Sequence, residues 1–313
     1  MALHFHPDRI AGDGRTVARA LLDEGRYLSQ FRTGISNGGL TARPGGDRDK
    51  WEERLFGGAY QQVGVAPGER PTYGGLDLVR HPDGPCPRFG SCRLQLRREV
   101  LERCTFSFGD SVTRPTALAT LDVFEPVLAA LLEAAEAGGH TSVLSPCDTV
   151  PGIREVGVAD LVALLLGERP PSSEPGRALD DYIEAQVHGE VLLGRDAEAL
   201  IADPSFQGTE TGRQLEAVAR RYGFTLAWHR GFVLEAEDVP VDFRGRAVAE
   251  LAGRIASELG DGSGRLDAEL IGRAARAVAL GAFGPAGSGD RVALLQLIKQ
   301  LWHVLVAYGK PAR

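Results

Sequence analysis

The stretch Tyr182-Ile183-Glu184-Ala185-Gln186-Val187-His188-Gly189 alternates apolar and polar side chains with a period of two, the spacing of a β-strand. Ile183, Ala185 and Val187 fall on one face, and Glu184, Gln186 and His188 on the other. An ordinary solvated strand face mixes Thr, Lys and Arg. A front of Glu, Gln and His is poorly explained by packing and marks a candidate site, with Glu184 able to act as base, metal ligand or stabiliser of a cationic sugar. The alternation predicts a strand over Tyr182–Leu193, preceded by a Pro-rich loop, Pro170–Gly176, placed to close over a ligand.

Working outward, short β-like runs are expected at Leu3–His6, Leu76–Val79, Ser91–Leu96, Thr105–Phe108 and Leu226–Leu234. Helices are expected over Thr16–Glu24 with Gly25 as the stop, over Phe124–Ala137, and through Leu161–Leu166. Beyond about Pro204 the texture changes. Val248, Leu251, Ile255 and Leu259 recur at helical spacing, as do Leu294, Leu297, Ile298, Leu301 and Leu305. The pattern predicts an α+β fold with a glycine-rich part, residues 1–204, followed by a mainly helical part, residues 205–313.

The 313 residues carry 35 basic and 42 acidic side chains, a formal charge of −7. That balance gives no global field for nucleic acid or anionic membrane. Four cysteines are too few to staple a chain of this size, so free thiols in a reducing compartment are expected. The opening MALHFHPDRIAGDGR lacks an apolar signal-peptide core, and no apolar run reaches membrane-spanning length. The expected location is therefore the cytoplasm, unless a specialised secretion route applies. CxxC, HExxH and EF-hand patterns do not occur.

Three further constellations carry chemistry. In Leu3-His4-Phe5-His6-Pro7-Asp8-Arg9, a strand would point His4 and His6 the same way, a spacing that can ligate a metal. A metal-dependent hydrolase built on His4 and His6 is one reading. The run from Arg32 through Gly34-Ile35-Ser36-Asn37-Gly38-Gly39 to Arg48 alternates small residues with arginines, suited to cradling a pyrophosphate. In Trp51–Tyr60 a short helix runs into Phe56-Gly57-Gly58, and the glycines would deliver Tyr60 to an open face, where an aromatic ring can stack on a planar ligand. Tyr73, in Pro71-Thr72-Tyr73-Gly74-Gly75, is a second candidate for that role.

The stretches FRTGISNGGLTARPGGDRDKWEERLFGGAY and YIEAQVHGEV resemble a family of bacterial proteins of about this length that is defined only as a domain of unknown function. The order LHFHPD, LFGGAY, YIEAQVHG is more distantly similar to the ADP-ribosyltransferase superfamily, one branch of which carries a His on the first strand, a Tyr further along and a Glu on a late strand. That resemblance implies a split antiparallel sheet with NAD as substrate. Glu184, Tyr60 and His6 would then be catalytic. His4, Arg9, Arg32, Ser36, Arg48, Tyr73, Gln186 and His188 would contact the dinucleotide. Departures are present too: Pro7 stands after His6, and Phe5 after His4, where that branch usually has a glycine whose backbone holds the nicotinamide amide, and proline has no N–H. The acceptor of the ADP-ribose is open, a protein being one choice. A third reading is a non-enzymatic binding module whose C-terminal helices bury an apolar stripe against a partner.

Overall fold

The computed structural model describes residues 1–34, 41–78, 82–136, 158–168, 182–284 and 288–312. The chain begins with β1 (Ala2–Phe5), α1 (Val17–Glu24), β2 (Arg26–Tyr27), α2 (Gln30–Thr33), α3 (Asp47–Leu55) and β3 (Thr72–Leu76). It continues through β4 (Cys92–Leu96), β5 (Cys104–Phe108), β6 (Leu118–Thr120), α4 (Glu125–Glu136), α5 (Val158–Leu165), β7 (Ile183–Val187), β8 (Val191–Leu192), α6 (Leu193–Asp196) and β9 (Ala197–Ala202). α7 (Glu210–Tyr222), β10 (Thr225–Trp228), β11 (Leu234–Glu235), α8 (Arg246–Leu259), β12 (Arg265–Leu266), α9 (Ala268–Ala279) and α10 (Ser288–Tyr308) complete it.

Eight strands form one mixed, mostly antiparallel sheet in the order β10-β9-β4-β1-β3-β7-β5-β6, in which β9 and β10 make the parallel pair. The architecture is α+β, as the sequence predicts. β7 lies inside the sheet, between β3 and β5, so its Glu184–Gln186 face is buried instead of solvated.

The sheet parts in its middle. β1 pairs with β4 along its whole length, from Ala2 to Phe5. With β3 it keeps a single register pair, Ala2 opposite Gly75. Glycine is required at that junction: a Cβ on Gly74 would stand 2.4 Å from the Ala2 carbonyl oxygen. From there the two strands diverge, and a cleft opens between the end of β1 and the start of β3. Gly74 thus serves close approach of one backbone to another, while a Cβ on Gly75 would meet the Pro85 and Cys86 side chains.

Capping chemistry sets the helix ends. Thr16 accepts the Arg19 N–H at the start of α1, and Gly25 ends it at φ 65°. Thr209 and Asp267 cap α7 and α9 in the same way. Three strands differ from expectation. The run Tyr182–Leu193 breaks at His188, whose N–H goes to the Arg103 carbonyl, and turns at Gly189 (φ 75°) before β8 pairs with β2. Leu226–Leu234 divides into β10 and β11 around Gly231 (φ 72°). The third β-run begins at Thr72, four residues before Leu76, because it pairs with β7 through two glycines that strand propensity disfavours.

One buried apolar cluster runs from Met1, Leu3 and Phe5 through Ile183 and Leu200 to Ile255, Ile271, Ile298, Leu301 and Leu305. It crosses the boundary expected at 204/205, and β10 on the far side of that boundary joins the main sheet through β9. Trp302 of α10 is fully buried and donates its indole N–H to the Pro87 carbonyl at 2.9 Å. Cys86, Cys92 and Cys104 are buried free thiols. Among the described residues no helix is long and apolar enough to cross a membrane.

Candidate functional site

A cavity of about 210 Å³ occupies the cleft where β1 and β3 separate. Its walls include His4 and His6 from β1 and the residue just after it, Tyr73 from β3, Glu184 from β7, Arg48 from α3 and Lys299 from α10. The lining cations are Arg9, Arg26, Arg48, Arg88 and Lys299, and the lining carboxylates are Asp110 and Glu184. Among the described residues the lining thus carries more cations than carboxylates, inside a chain of net charge −7.

Glu184 is 5% exposed. Its Oε1 accepts an N–H of the Gln186 amide at 2.9 Å, and its Oε2 accepts the Ser111 backbone N–H at 3.3 Å and the Ser111 hydroxyl at 3.4 Å. Arg48 in turn donates to the Ser111 hydroxyl at 3.2 Å. Burial, then repulsion from Asp110, pushes the Glu184 carboxyl up to about 7, against the pull of Arg48 and the donors around it. It therefore changes protonation state near neutrality, where a catalytic carboxylate is useful.

The Arg48 guanidinium lies 4.5 Å from the centre of the Tyr73 ring and 4.9 Å from that of Trp51. Tyr73 donates its hydroxyl to Glu52 at 2.9 Å, and Glu52 is held by Arg70, also at 2.9 Å. Burial raises both the Tyr73 phenol and the Glu52 carboxyl. This buried group fixes the Tyr73 ring on the cavity wall.

His4 is buried. Its Nδ1 hydrogen-bonds the Gly90 carbonyl at 3.2 Å, while Nε2 abuts Gly84, where a Cβ would come within 2.5 Å. Burial and Arg93 hold His4 down to about 3. Burial and Arg9 hold His6 well below its ordinary range, and its ring meets Trp302 edge-on at 5.1 Å. Both imidazoles are neutral at physiological pH. Among the described residues no three His, Cys, Asp or Glu side chains come together as a metal site. Lys299 is lowered to about 8, first by burial and then by Arg88 and Arg9.

The structure thus brings His4, His6, Arg9, Arg48, Tyr73 and Glu184 to one cavity. Gln186 reaches it through Glu184. Tyr60 and His188 lie outside it and face each other: the Tyr60 hydroxyl and His188 Nδ1 are 2.5 Å apart, with the rings parallel at 6.0 Å. Arg32 is half-exposed and pairs with Glu24 at 3.8 Å, away from the cavity. Ser36, the whole Pro170–Gly176 loop and Cys147 lie outside the described residues. Sequence reasoning missed Asp110, Ser111, Arg88 and Lys299. Lys299 alone left a trace, as one of three lysines in a chain whose other basic residues are arginine.

The family model for a protein of unknown function (DUF3626) matches residues 1–308. The chain belongs to this family. Among similar proteins, the Gene 2 protein of Mycobacterium phage L5 is 26% identical over 184 residues, 59% of this chain and 61% of that protein. The Gene 2 protein of Mycobacterium phage D29 is 38% identical over 96 residues, 29% of this chain and 31% of that protein. The chain spans less than two thirds of either relative. The family description and these two names carry no activity.

Proposed function

We propose that the cavity binds NAD and that the protein is an ADP-ribosyltransferase, its parted antiparallel sheet being of that superfamily's type. The observation that carries the reading is the position of Glu184: a buried carboxylate, ionisable near neutrality, on the wall of a cavity that it shares with both opening histidines and an excess of cations. Cleavage of the nicotinamide–ribose bond leaves the electron pair on the nicotinamide nitrogen and an oxocarbenium-like centre on the ribose. A carboxylate hydrogen-bonded to a ribose hydroxyl grips harder as that positive charge develops, which is differential binding of the transition state. The acceptor then bonds to the ribose carbon and releases its proton, which ionised Glu184 can take.

In this scheme Tyr73, one of the tyrosines lining the cavity, packs against the nicotinamide, a role the superfamily resemblance gives to Tyr60. Arg9, Arg48 and Lys299 offset the pyrophosphate charge, and His4 and His6, both neutral, orient the adenosine ribose. The volume is below the roughly 300–1,000 Å³ of typical small-molecule pockets. It holds part of the dinucleotide at most, with the rest lying toward the open side.

The test is release of nicotinamide from NAD by the purified protein, with labelled ADP-ribose followed onto any acceptor. Glu184→Gln should fold and lose turnover by about 100-fold or more. Turnover unchanged in that variant ends the scheme. Thermal stabilisation by NAD without cleavage would instead favour the non-enzymatic binding module.

A further inference from the structure

The polar face of β7 continues beyond the cavity as an unbroken row of hydrogen bonds. Tyr60 meets His188 Nδ1, His188 Nε2 lies 2.9 Å from the Thr105 hydroxyl, and that hydroxyl is 2.8 Å from Gln186 Oε1. Gln186 Nε2 reaches Ser107 Oγ at 3.1 Å and Glu184 Oε1 at 2.9 Å. Thr105 stands directly opposite Gln186 in the β5–β7 ladder, and Ser107 opposite Glu184.

The direction of every donor follows from the ends. The Ser107 hydroxyl is committed to the Gly109 carbonyl at 3.0 Å, so its oxygen accepts from Gln186. The other amide proton goes to the carboxylate, and Gln186 Oε1 is left to accept from Thr105. The Thr105 oxygen must then accept from His188, which fixes the His188 proton on Nε2. Nδ1 becomes an acceptor, and the Tyr60 hydroxyl donates to it. All four donors point toward Glu184.

We infer that Tyr60, His188 and Thr105 are positioning residues, which act through Gln186 by locking its amide so that the NH₂ end, never the carbonyl, faces Glu184. A reversed amide would aim its oxygen at the carboxylate and disfavour the ionised form. This gives Tyr60 a task outside the cavity. The inference deepens the reading of Glu184 as the working carboxylate, although the arrangement of donors can be tested without any nucleotide.

The experiment follows the Glu184 side-chain carboxyl by ¹³C NMR across pH, in the full chain, with ¹⁵N shifts reporting the His188 tautomer. Arg48 and Asp110 also face Glu184, and Arg103 faces His188 through its bond to the His188 carbonyl at 2.6 Å; all three stay intact. Thr105→Val removes the donor to Gln186 and keeps the shape. It should move the Glu184 midpoint upward by about one pH unit, the scale of one charge-assisted hydrogen bond, and Thr105→Ser should restore it. Should the valine variant not fold, Tyr60→Phe removes only the outermost hydroxyl and should alter the His188 ¹⁵N shifts while raising the Glu184 midpoint by a smaller amount. A midpoint that stays or falls in the folded variants, or a wild-type His188 protonated on Nδ1, overturns the inference. Absence of NAD turnover with the expected shifts would refute the proposed activity alone.

Discussion

Glu184 shows how one residue can serve the site at the expense of the fold. Its carboxyl sits at about 7 in the folded protein, above the ordinary value of 4.5. Between those values the folded chain holds a proton that the unfolded chain releases. The stabilisation is complete below about pH 4.5 and is lost as pH rises through 7. Glu184→Gln never has to ionise. It should be more stable than the wild type at pH 8, by about 2–3 kcal/mol, with the gain fading by pH 5. Urea unfolding at the two pH values measures this, and equal midpoints for variant and wild type at pH 8 would contradict it. The face that carries Glu184, Gln186 and His188 was readable because period-two alternation is a local property of the strand. What each residue would touch was not readable. Gln186 finds Thr105 across a ladder 81 positions away in the chain, and Tyr60 finds His188 where the sequence offered it a ligand. Asp110 resembled any turn aspartate, since it also caps the short helical turn that follows it.

At the scale of elements, helix boundaries were legible wherever side-chain chemistry set them. Thr16 and Gly25 bracket α1 as their residue types predict. β3 was harder to place, because strand propensity disfavours its two glycines, yet the strand needs Gly74 at its junction with β1 and Gly75 beside Pro85 and Cys86. A methyl at position 74 would strike the Ala2 carbonyl, the Leu3 side chain and the Met1 side chain, two of them within 3.0 Å. Gly74→Ala should therefore cost about 1–3 kcal/mol through overpacking. It should also disturb the amide signals of β1 and β3 before those of β10 at the far end of the sheet. A change confined to residue 74 itself would mean that the strands do not need this close approach.

For the molecule as a whole, the two textures of the sequence do not correspond to two separate cores. Val248, Leu251, Ile255, Ile298, Leu301 and Leu305 read correctly as helical faces, yet the apolar surface they cover includes the main sheet. Leu301→Ala, at a fully buried position, should lower stability by about 2–5 kcal/mol. Hydrogen-exchange protection should fall by the same free energy in β1 and in α10, since they open as one unit. Loss limited to α8, α9 and α10 would separate the helical part from the rest. Periodicity shows which side of a helix is covered but says nothing about what covers it, so the merging of the two parts was visible only in three dimensions.

The placement of Lys299 on the cavity wall has a consequence for protein synthesis. Ribosomes deliver His4 and His6 early and the opposing ammonium some three hundred codons later. A premature stop or frameshift upstream of that lysine leaves a fragment in which the cavity lacks part of its wall.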